Sequence, residues 1–291
     1  MALGALGVLL FSMSLPATKA AAEGFDPILT GIGRAVVAAL LAGAYLLVTR
    51  ARRPDRESLR RLLIASAGVV IGFPLLVAIA LEEVDSAHGA VVVGLAPAAT
   101  AVAAVLRAGE RPSLAFWLAA TAGVLAVLAF ALTRGAGGVE AADLLLLAAV
   151  AAVGIGYAEG AVVARELGGT ATISWAVVLA LPLTLALTVG RLALGGAVED
   201  PDLAAWLGLA WVSVVSMFLG FIPWYAGLAR GGVAKVGQLQ LLQGPLTFIW
   251  AVLLLSETVD AATLAAGFAV VVAAGATQRT QVRAAPARSP A

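Results

Sequence analysis

The chain has 291 residues, of which 62% are hydrophobic and 12% are charged, and its net charge at pH 7 is +1. Soluble domains average about 25% charged residues, and a soluble core of this size could not bury so much apolar surface. The composition therefore excludes an ordinary soluble domain and predicts a membrane protein. The lack of cysteine excludes disulfides and thiolate chemistry, and the single histidine, His88, excludes a histidine-rich metal site.

The apolar stretches predict ten membrane-spanning helices. A spanning helix needs about 20 mostly apolar residues, and helices satisfy their backbone polar groups within the segment. The first stretch lacks the positively charged n-region of a signal peptide, so we interpret it as a first span. The predicted spans 1 to 10 are residues 2–22, 28–49, 62–81, 88–106, 113–133, 142–164, 170–190, 204–228, 233–256 and 261–278.

The charges in the connections predict the orientation of these spans. Cytoplasmic connections are enriched in Lys and Arg. If the N-terminus is inside, the connection between spans 2 and 3 is cytoplasmic and carries the arginines of residues 50–61, and the other cytoplasmic connections are basic as well. The outer connections are mainly acidic. We therefore predict an N-in/C-in topology, with residues 279–291 as a disordered cytoplasmic tail.

The sequence also contains an internal repeat, with predicted units at residues 1–135 and 140–278. Gly89 and Pro97 of span 4 align with Gly237 and Pro245 of span 9, and each proline is followed by an apolar run that ends in a glutamate. Because five is an odd number, two five-helix units must insert with opposite orientation. Such inverted repeats build a site near the middle of the membrane and expose it to each side in turn.

At these residues the chain resembles the EamA family of the drug/metabolite transporter superfamily. The resemblance rests on SLPATKAAAEGFDP and GRAVVAALLAG in spans 1 and 2, LAPAATAVAAVLRAGERPS in spans 4 and 5, and GLARGGVAKVGQLQLLQGPLTFIWAVLLLSE in spans 8 and 9. It implies an all-α integral membrane protein of ten helices with a central cavity. It also implies secondary transport, often export, of amino acids or other small metabolites.

Polar residues inside the spans are the candidates for a substrate site. Gln240 and Gln243 fall about 60° apart on an α-helix, so both could face a cavity and form hydrogen bonds with a polar solute. Gln238 lies on another face and could serve a neighbouring helix. Arg34 could attract a carboxylate, or could form a structural bond to carbonyl groups or to an acidic residue of an outer loop.

Two titratable residues are candidates for coupling to protons. Glu159 lies within span 6, where an ionisable group usually faces protein or water, although it could instead pair with Arg165 near the membrane interface. His88 opens span 4, and its ordinary pKa lies near physiological pH. It could equally be an interfacial histidine without a function.

The aromatic residues and prolines add further candidates. The tryptophans fit interfacial belts, but Trp224 and Tyr225 could also line the cavity. Pro97 and Pro245 would weaken spans 4 and 9, because proline removes a backbone hydrogen bond, and they are therefore candidate hinges.

Together these features predict a secondary active exporter of a small organic metabolite, such as an amino acid, that works by alternating access in the bacterial inner membrane. The alternatives are a sugar or nucleotide-sugar carrier of the same superfamily and a non-transporting sensor or scaffold. No enzyme signature, nucleic-acid-binding feature, metal site or cofactor site is present in the sequence. The expected partners are the solute, protons and the lipid bilayer, and the protein could be a monomer or a homodimer.

Overall fold

The computed structural model describes residues 1–26, 28–80, 83, 92–133, 141–195, 200–255 and 261–283. His88 and the predicted boundary between the repeats lie outside these residues. The chain is almost entirely helical where it is described. This confirms the prediction of an all-α fold.

The first half contains helices that follow predicted spans 1 to 5, together with two π-helical segments in which the backbone is locally wider. The elements are α1 (Ala2–Ser12), α2 (Ser14–Ala22), a π-segment (Leu29–Gly33), α3 (Arg34–Val48), α4 (Arg56–Ala65), a second π-segment (Ser66–Gly72), α5 (Phe73–Ala80), α6 (Ala96–Ala108), β1 (Arg111–Pro112) and α7 (Leu114–Thr133).

The second half follows predicted spans 6 to 10 and includes a third π-segment and a 3₁₀-segment. The elements are α8 (Ala141–Leu167), α9 (Gly169–Ala193), α10 (Leu203–Ala210), a π-segment (Trp211–Leu219), α11 (Phe221–Gly231), α12 (Val233–Gly237), a 3₁₀-segment (Gln238–Leu242), α13 (Gln243–Leu255), α14 (Ala261–Gln278) and β2 (Val282–Arg283).

Helix caps explain why two helices begin where they do. The Asp55 side chain accepts a hydrogen bond from the backbone N–H of Ser58 at 2.8 Å, and this bond holds the pKa of Asp55 below its ordinary value. Because of this cap, α4 begins at Arg56, six residues before the apolar window that predicted span 3. Asp202 caps α10 in the same way through the N–H of Ala205.

The distribution of apolar residues is that of a protein in lipid. Among the described residues, six helices are long and apolar enough to cross a membrane. Large apolar side chains such as Leu106, Leu194 and Val48 are mostly exposed, whereas Glu159 and Gln238 are buried. Apolar surface outside and polar groups inside identify an α-helical, multi-pass membrane protein.

Small residues bring the helices close together. A Cβ atom added to Gly68 would lie 2.2 Å from the carbonyl oxygen of Ala152 in α8, and one added to Gly154 would lie 2.8 Å from the backbone of Ala99 in α6. At these two positions the helix backbones meet directly, which only glycine allows. Such contacts are a usual source of stability where no hydrophobic effect drives helices together.

The helices pair in a regular pattern across the two halves. α1 contacts α11 and α2 contacts α10, while α4 and α5 both contact α8. α6 contacts α8, while α13 contacts α1. Three further pairs join elements at the same place in each half, namely α3 with α9, α6 with α12, and α7 with α14.

The described chain remains ordered beyond α14. Strand β2 pairs antiparallel with β1, so that Arg283 lies opposite Arg111 and Val282 opposite Pro112. Ser113 also donates its N–H to the carbonyl of Gln281 at 3.0 Å. Residues 281–283, within the stretch predicted as a disordered cytoplasmic tail, thus find backbone partners that composition alone could not reveal.

Candidate functional site

A polar cluster lies inside the bundle around Tyr157 of α8. The Gln240 amide group donates to the Tyr157 hydroxyl at 3.1 Å, and the Trp224 ring meets the Tyr157 ring edge-on at 5.3 Å. Arg34, at the start of α3, is close enough to Tyr157 for the two side chains to interact electrostatically. We refer to Arg34, Tyr157, Trp224 and Gln240 as the central cluster.

Two polar atoms of the central cluster are buried without a hydrogen-bond partner among the described residues. They are the Gln240 side-chain oxygen, an acceptor, and the Trp224 indole nitrogen, a donor. Buried polar groups are nearly always hydrogen-bonded, so an unpaired acceptor and an unpaired donor beside one tyrosine require an explanation. A polar solute could supply both partners.

The Arg34 guanidinium also retains hydrogen-bonding capacity. Its Nε donates to the carbonyl of Gly31 at 3.2 Å, which is the carbonyl bond considered as a structural alternative. No carboxylate in the described part of the chain forms an ion pair with Arg34. The other N–H groups of Arg34 are therefore not paired with any acidic side chain in the described part of the chain.

The aromatic residues form the wall of the central cluster. Trp224 and Tyr225 are fully buried, so neither lies at the membrane interface. Phe221 lies 5.6 Å from the Tyr225 ring and 6.2 Å from the Tyr157 ring. The Tyr225 hydroxyl donates to the Gly156 carbonyl at 3.4 Å, so Tyr225 is already partnered, whereas the Trp224 indole N–H finds no partner among the residues that the structure describes.

The structure separates the three glutamines of span 9. Gln238 donates to the carbonyl of Pro97 at 2.9 Å and so joins α6 to the 3₁₀-segment. Gln240 faces the central cluster. The side chain of Gln243 makes no hydrogen bond within the described residues and is half-buried. The 60° offset predicted for Gln240 and Gln243 assumed an α-helix; a 3₁₀-helix, with about three residues per turn, brings residues three apart closer to one face, so the local winding does not explain why only Gln240 bonds to Tyr157.

The two prolines occupy equivalent local positions. Pro97 lies in the first turn of α6, after a turn at residues 94–95, and Pro245 lies in the first turn of α13, after the 3₁₀-segment. Proline is tolerated in the first helical turn because no backbone partner is lost there. Each proline therefore marks a break between a distorted segment and a regular helix.

Glu159 lies in a different place, beside the basic ends of the helices. Its carboxylate is completely buried and accepts from Arg61 at 2.7 Å and from Arg107 at 2.5 Å. Arg165, considered as its partner from the sequence, donates to Glu110 instead. The two arginines come from α4 and α6, so Glu159 of α8 holds three helices together.

Glu110 makes a second link at the same end. Its two carboxylate oxygens accept from the backbone N–H groups of Val233 and Ala234 at 2.6 and 2.8 Å, and Arg165 lies 3.4 Å from one of them. Glu110 therefore caps the N-terminus of α12 from the opposite half of the chain, where the helix dipole favours a negative charge. We call the end of the bundle that holds Arg61, Arg107, Arg165 and Lys235 the basic end.

Sequence reasoning missed Tyr157 and the partners of Glu159 and Glu110. Tyr157 stands two residues before Glu159 in GIGYAEG, and a phenol between glycines inside a predicted span was a signal for a polar site. The pairing of Glu159 with Arg61 and Arg107 joins residues 98 and 52 positions apart. No local pattern indicates such contacts.

The lipid-facing helices and the buried polar cluster define a multi-pass membrane protein with polar groups in its interior. The EamA-like transporter family matches residues 1–132 and 140–277. A relative described as the uncharacterized transporter YdeK of Bacillus subtilis (strain 168) is 47% identical over 282 residues, which cover 95% of this chain and 96% of the relative. The chain therefore belongs to the EamA-like transporter family, as the resemblance predicted.

A solved crystal structure supports the fold. It matches with a TM-score of 0.74 at 18% sequence identity, over 95% of this chain and 97% of that one. At this identity the likeness concerns the fold alone. The family and the relative support a transporter of the drug/metabolite type rather than an enzyme.

Proposed function

We propose that the protein is a secondary active transporter that exports a small organic metabolite, such as an amino acid, across the bacterial inner membrane by alternating access. The observation that carries this proposal is the central cluster. Within the described part of the chain, the Trp224 indole N–H is an unpaired donor and the Gln240 oxygen an unpaired acceptor, and Arg34 has N–H groups beyond the one that bonds to Gly31. All of them lie beside an aromatic wall. A solute with a carboxylate and an N–H group would satisfy both kinds of partner.

The pattern of helix contacts supports two inverted five-helix repeats. If spans 1 to 5 correspond to spans 6 to 10, the contact of span 1 with span 8 has its counterpart in the contact of span 6 with span 3, and both pairs are in contact. The order of an α-helix, a π-segment and an α-helix recurs in spans 3 and 8. Asp55 and Asp202 cap the first helices of these two spans.

Contacts at the two ends of the bundle support the N-in/C-in topology. At the basic end, Glu159 binds Arg61 and Arg107, and Lys235 donates to the carbonyl of Thr280, so the cytoplasmic connections and the tail meet there. At the other end, Asp26 binds Arg191 at 2.6 Å. All connections predicted to be cytoplasmic therefore lie together and carry the excess of positive charge.

In this proposal, the contacts of Glu159 and Glu110 keep the basic end closed. Alternating access then requires that α8 release Arg61 and Arg107. Protonation of Glu159 would remove the charge that holds both arginines, so binding of a proton would be linked to opening. Glu159 is therefore the coupling residue of this proposal. A nucleotide-sugar carrier would need further cations, and Arg34 is the only charged member of the central cluster.

The proposal is tested by transport into proteoliposomes that contain the purified protein. A panel of amino acids and other metabolites is supplied with and without a pH gradient. With a transported solute, Gln240→Leu and Tyr157→Phe should lower uptake at least tenfold, because each removes a group of the central cluster, while Gln243→Leu should retain most activity. A folded protein that moves no compound in a broad panel would contradict the transporter proposal.

A further inference from the structure

An open apolar groove lies on the outside of the bundle, away from the central cluster. It has a volume of about 620 Å³ and runs between α1, α11 and the start of α9. Leu6 and Leu219 line it and are more than two-fifths exposed. In a membrane this surface faces lipid, so the groove is open to lipid molecules from the side.

The groove has a defined direction. α1 and α11 run antiparallel, because Gly4 lies against Gly227 while Phe11 lies against Phe221. Leu3 and Arg230 therefore lie at one end of the groove, and Leu10 and Leu219 at the other. Seven residues of helix separate the ends of the α1 wall, which corresponds to about 10 Å.

The start of α9 forms the floor of the groove and carries no large side chains. Gly168 and Gly169 line it, and a Cβ atom on Gly169 would lie 2.4 Å from the carbonyl oxygen of Ile222. The close approach of α9 to α11 leaves a depression flanked by Leu6 and Leu10 of α1 and by Leu219 of the third π-segment. Its shape and composition fit an extended hydrocarbon chain.

The two ends of the groove differ in charge. Arg230 is exposed and forms no hydrogen bond or ion pair with any described residue. The first turn of α9 lines the same groove, packed against Ile222 and Ala226 of α11, and its N-cap residue, Gly168, supplies no side-chain hydrogen bond. The Arg230 guanidinium, unpaired among the described residues, makes its end of the groove positive, and the uncapped N-terminus of α9 adds to this charge, while the other end is apolar.

From this arrangement we infer that the groove binds one anionic phospholipid, with a phosphate group at Arg230 and the start of α9 and an acyl chain along Leu6, Leu10 and Leu219. The anionic lipid is favoured over a neutral one by the positive charge at one end of the groove. Arg230 belongs to the basic end, so the predicted topology places the lipid in the cytoplasmic leaflet. The site is separate from the central cluster and does not depend on the proposed transport.

The experiment measures binding of lipids to the delipidated full-length protein in detergent by native mass spectrometry. The probes are phosphatidylglycerol, phosphatidylcholine with the same acyl chains, and glycerol 3-phosphate without chains. The wild type should bind phosphatidylglycerol in preference to both other probes. Arg230→Gln should weaken that binding about fivefold, since a basic residue near the surface contributes about 1 kcal/mol to binding anionic lipid.

Two further variants locate the lipid. Arg56→Gln removes an exposed arginine outside the groove and should leave binding unchanged. Thr170→Phe places a ring in the groove and should reduce binding of both phospholipids, and its melting temperature without lipid verifies that it folds. Equal binding of the two phospholipids by the wild type would overturn the inference. So would equal losses in Arg230→Gln and Arg56→Gln, or binding of glycerol 3-phosphate as strong as that of the lipid.

Discussion

Replacing Glu159 with Gln should both destabilise the protein and loosen its basic end. Glu159 is completely buried, while the side chains of Arg61 and Arg107 are 23% and 39% exposed. Removing one partner of a buried ion pair costs about 3–5 kcal/mol, because the other charge is left without compensation. Water reaches both arginines, so the cost should be smaller here, about 2–3 kcal/mol.

Thermal unfolding in detergent measures this cost. The melting temperature of Glu159→Gln should fall by about 5 °C, on the scale of about 2 °C per kcal/mol for a chain of this size. The matched control is Glu57→Gln, because Glu57 also pairs with Arg61, at 3.0 Å, but is more than half exposed. An exposed pair contributes about 0–1 kcal/mol, so this variant should unfold close to the wild type.

A labelling experiment measures the loosening itself. The chain contains no cysteine, so Ala104→Cys introduces a unique thiol at a position of α6 that is fully buried. In the Glu159→Gln background, a maleimide should label this thiol at least tenfold faster. A tenfold change in the population of the open state corresponds to about 1.4 kcal/mol, which is less than the stability that the substitution is expected to remove. If labelling and melting temperature in Glu159→Gln match those of Glu57→Gln, the proposed closing role of the ion pairs is wrong.

Three further predictions follow from single contacts. Gln238→Leu should lower the free energy of unfolding by about 1 kcal/mol, measured by thermal unfolding, because it removes the buried hydrogen bond from Gln238 to the Pro97 carbonyl that joins the 3₁₀-segment to α6; a neutral result would contradict that bond. Gly68→Ala should cost about 1–3 kcal/mol because its Cβ would meet a carbonyl oxygen of α8, whereas Gly43→Ala, with no atom within 4 Å of the added Cβ, should be neutral or slightly stabilising. Burial alone would raise the pKa of Asp26, but hydrogen bonds from Arg191 and two backbone amides hold that pKa below its ordinary value of 3.8. The contribution of the Asp26 carboxylate to stability is therefore present above pH 3.8 and is lost as the pH falls through the lower pKa of the folded state. At neutral pH, Asp26→Asn should therefore be less stable than the wild type by about 1 kcal/mol in the free energy of unfolding, measured by thermal unfolding, and this difference should shrink in acid. A difference independent of pH would exclude this charge effect.

The sequence by itself determined the class of protein, its helical character and the family. These properties follow from composition, apolar length and a repeated motif, all of which are local or periodic along the chain. The excess of arginine at one end of the predicted topology was also visible, because charge can be counted without knowing any contact. Gln240 stood out for the same reason, since an amide within an apolar stretch is anomalous wherever the helix lies.

The tertiary structure decided how these residues are used. Glu159 was visible as a buried acid, but its partners Arg61 and Arg107 lie on other helices, and only helix packing brings them within 2.7 Å. Tyr157 joins the candidate site because α8 places it beside Gln240, whereas the Gln243 side chain makes no hydrogen bond with the described residues. Contacts between distant segments depend on the packing and local winding of whole helices, which the order of residues along one segment does not determine.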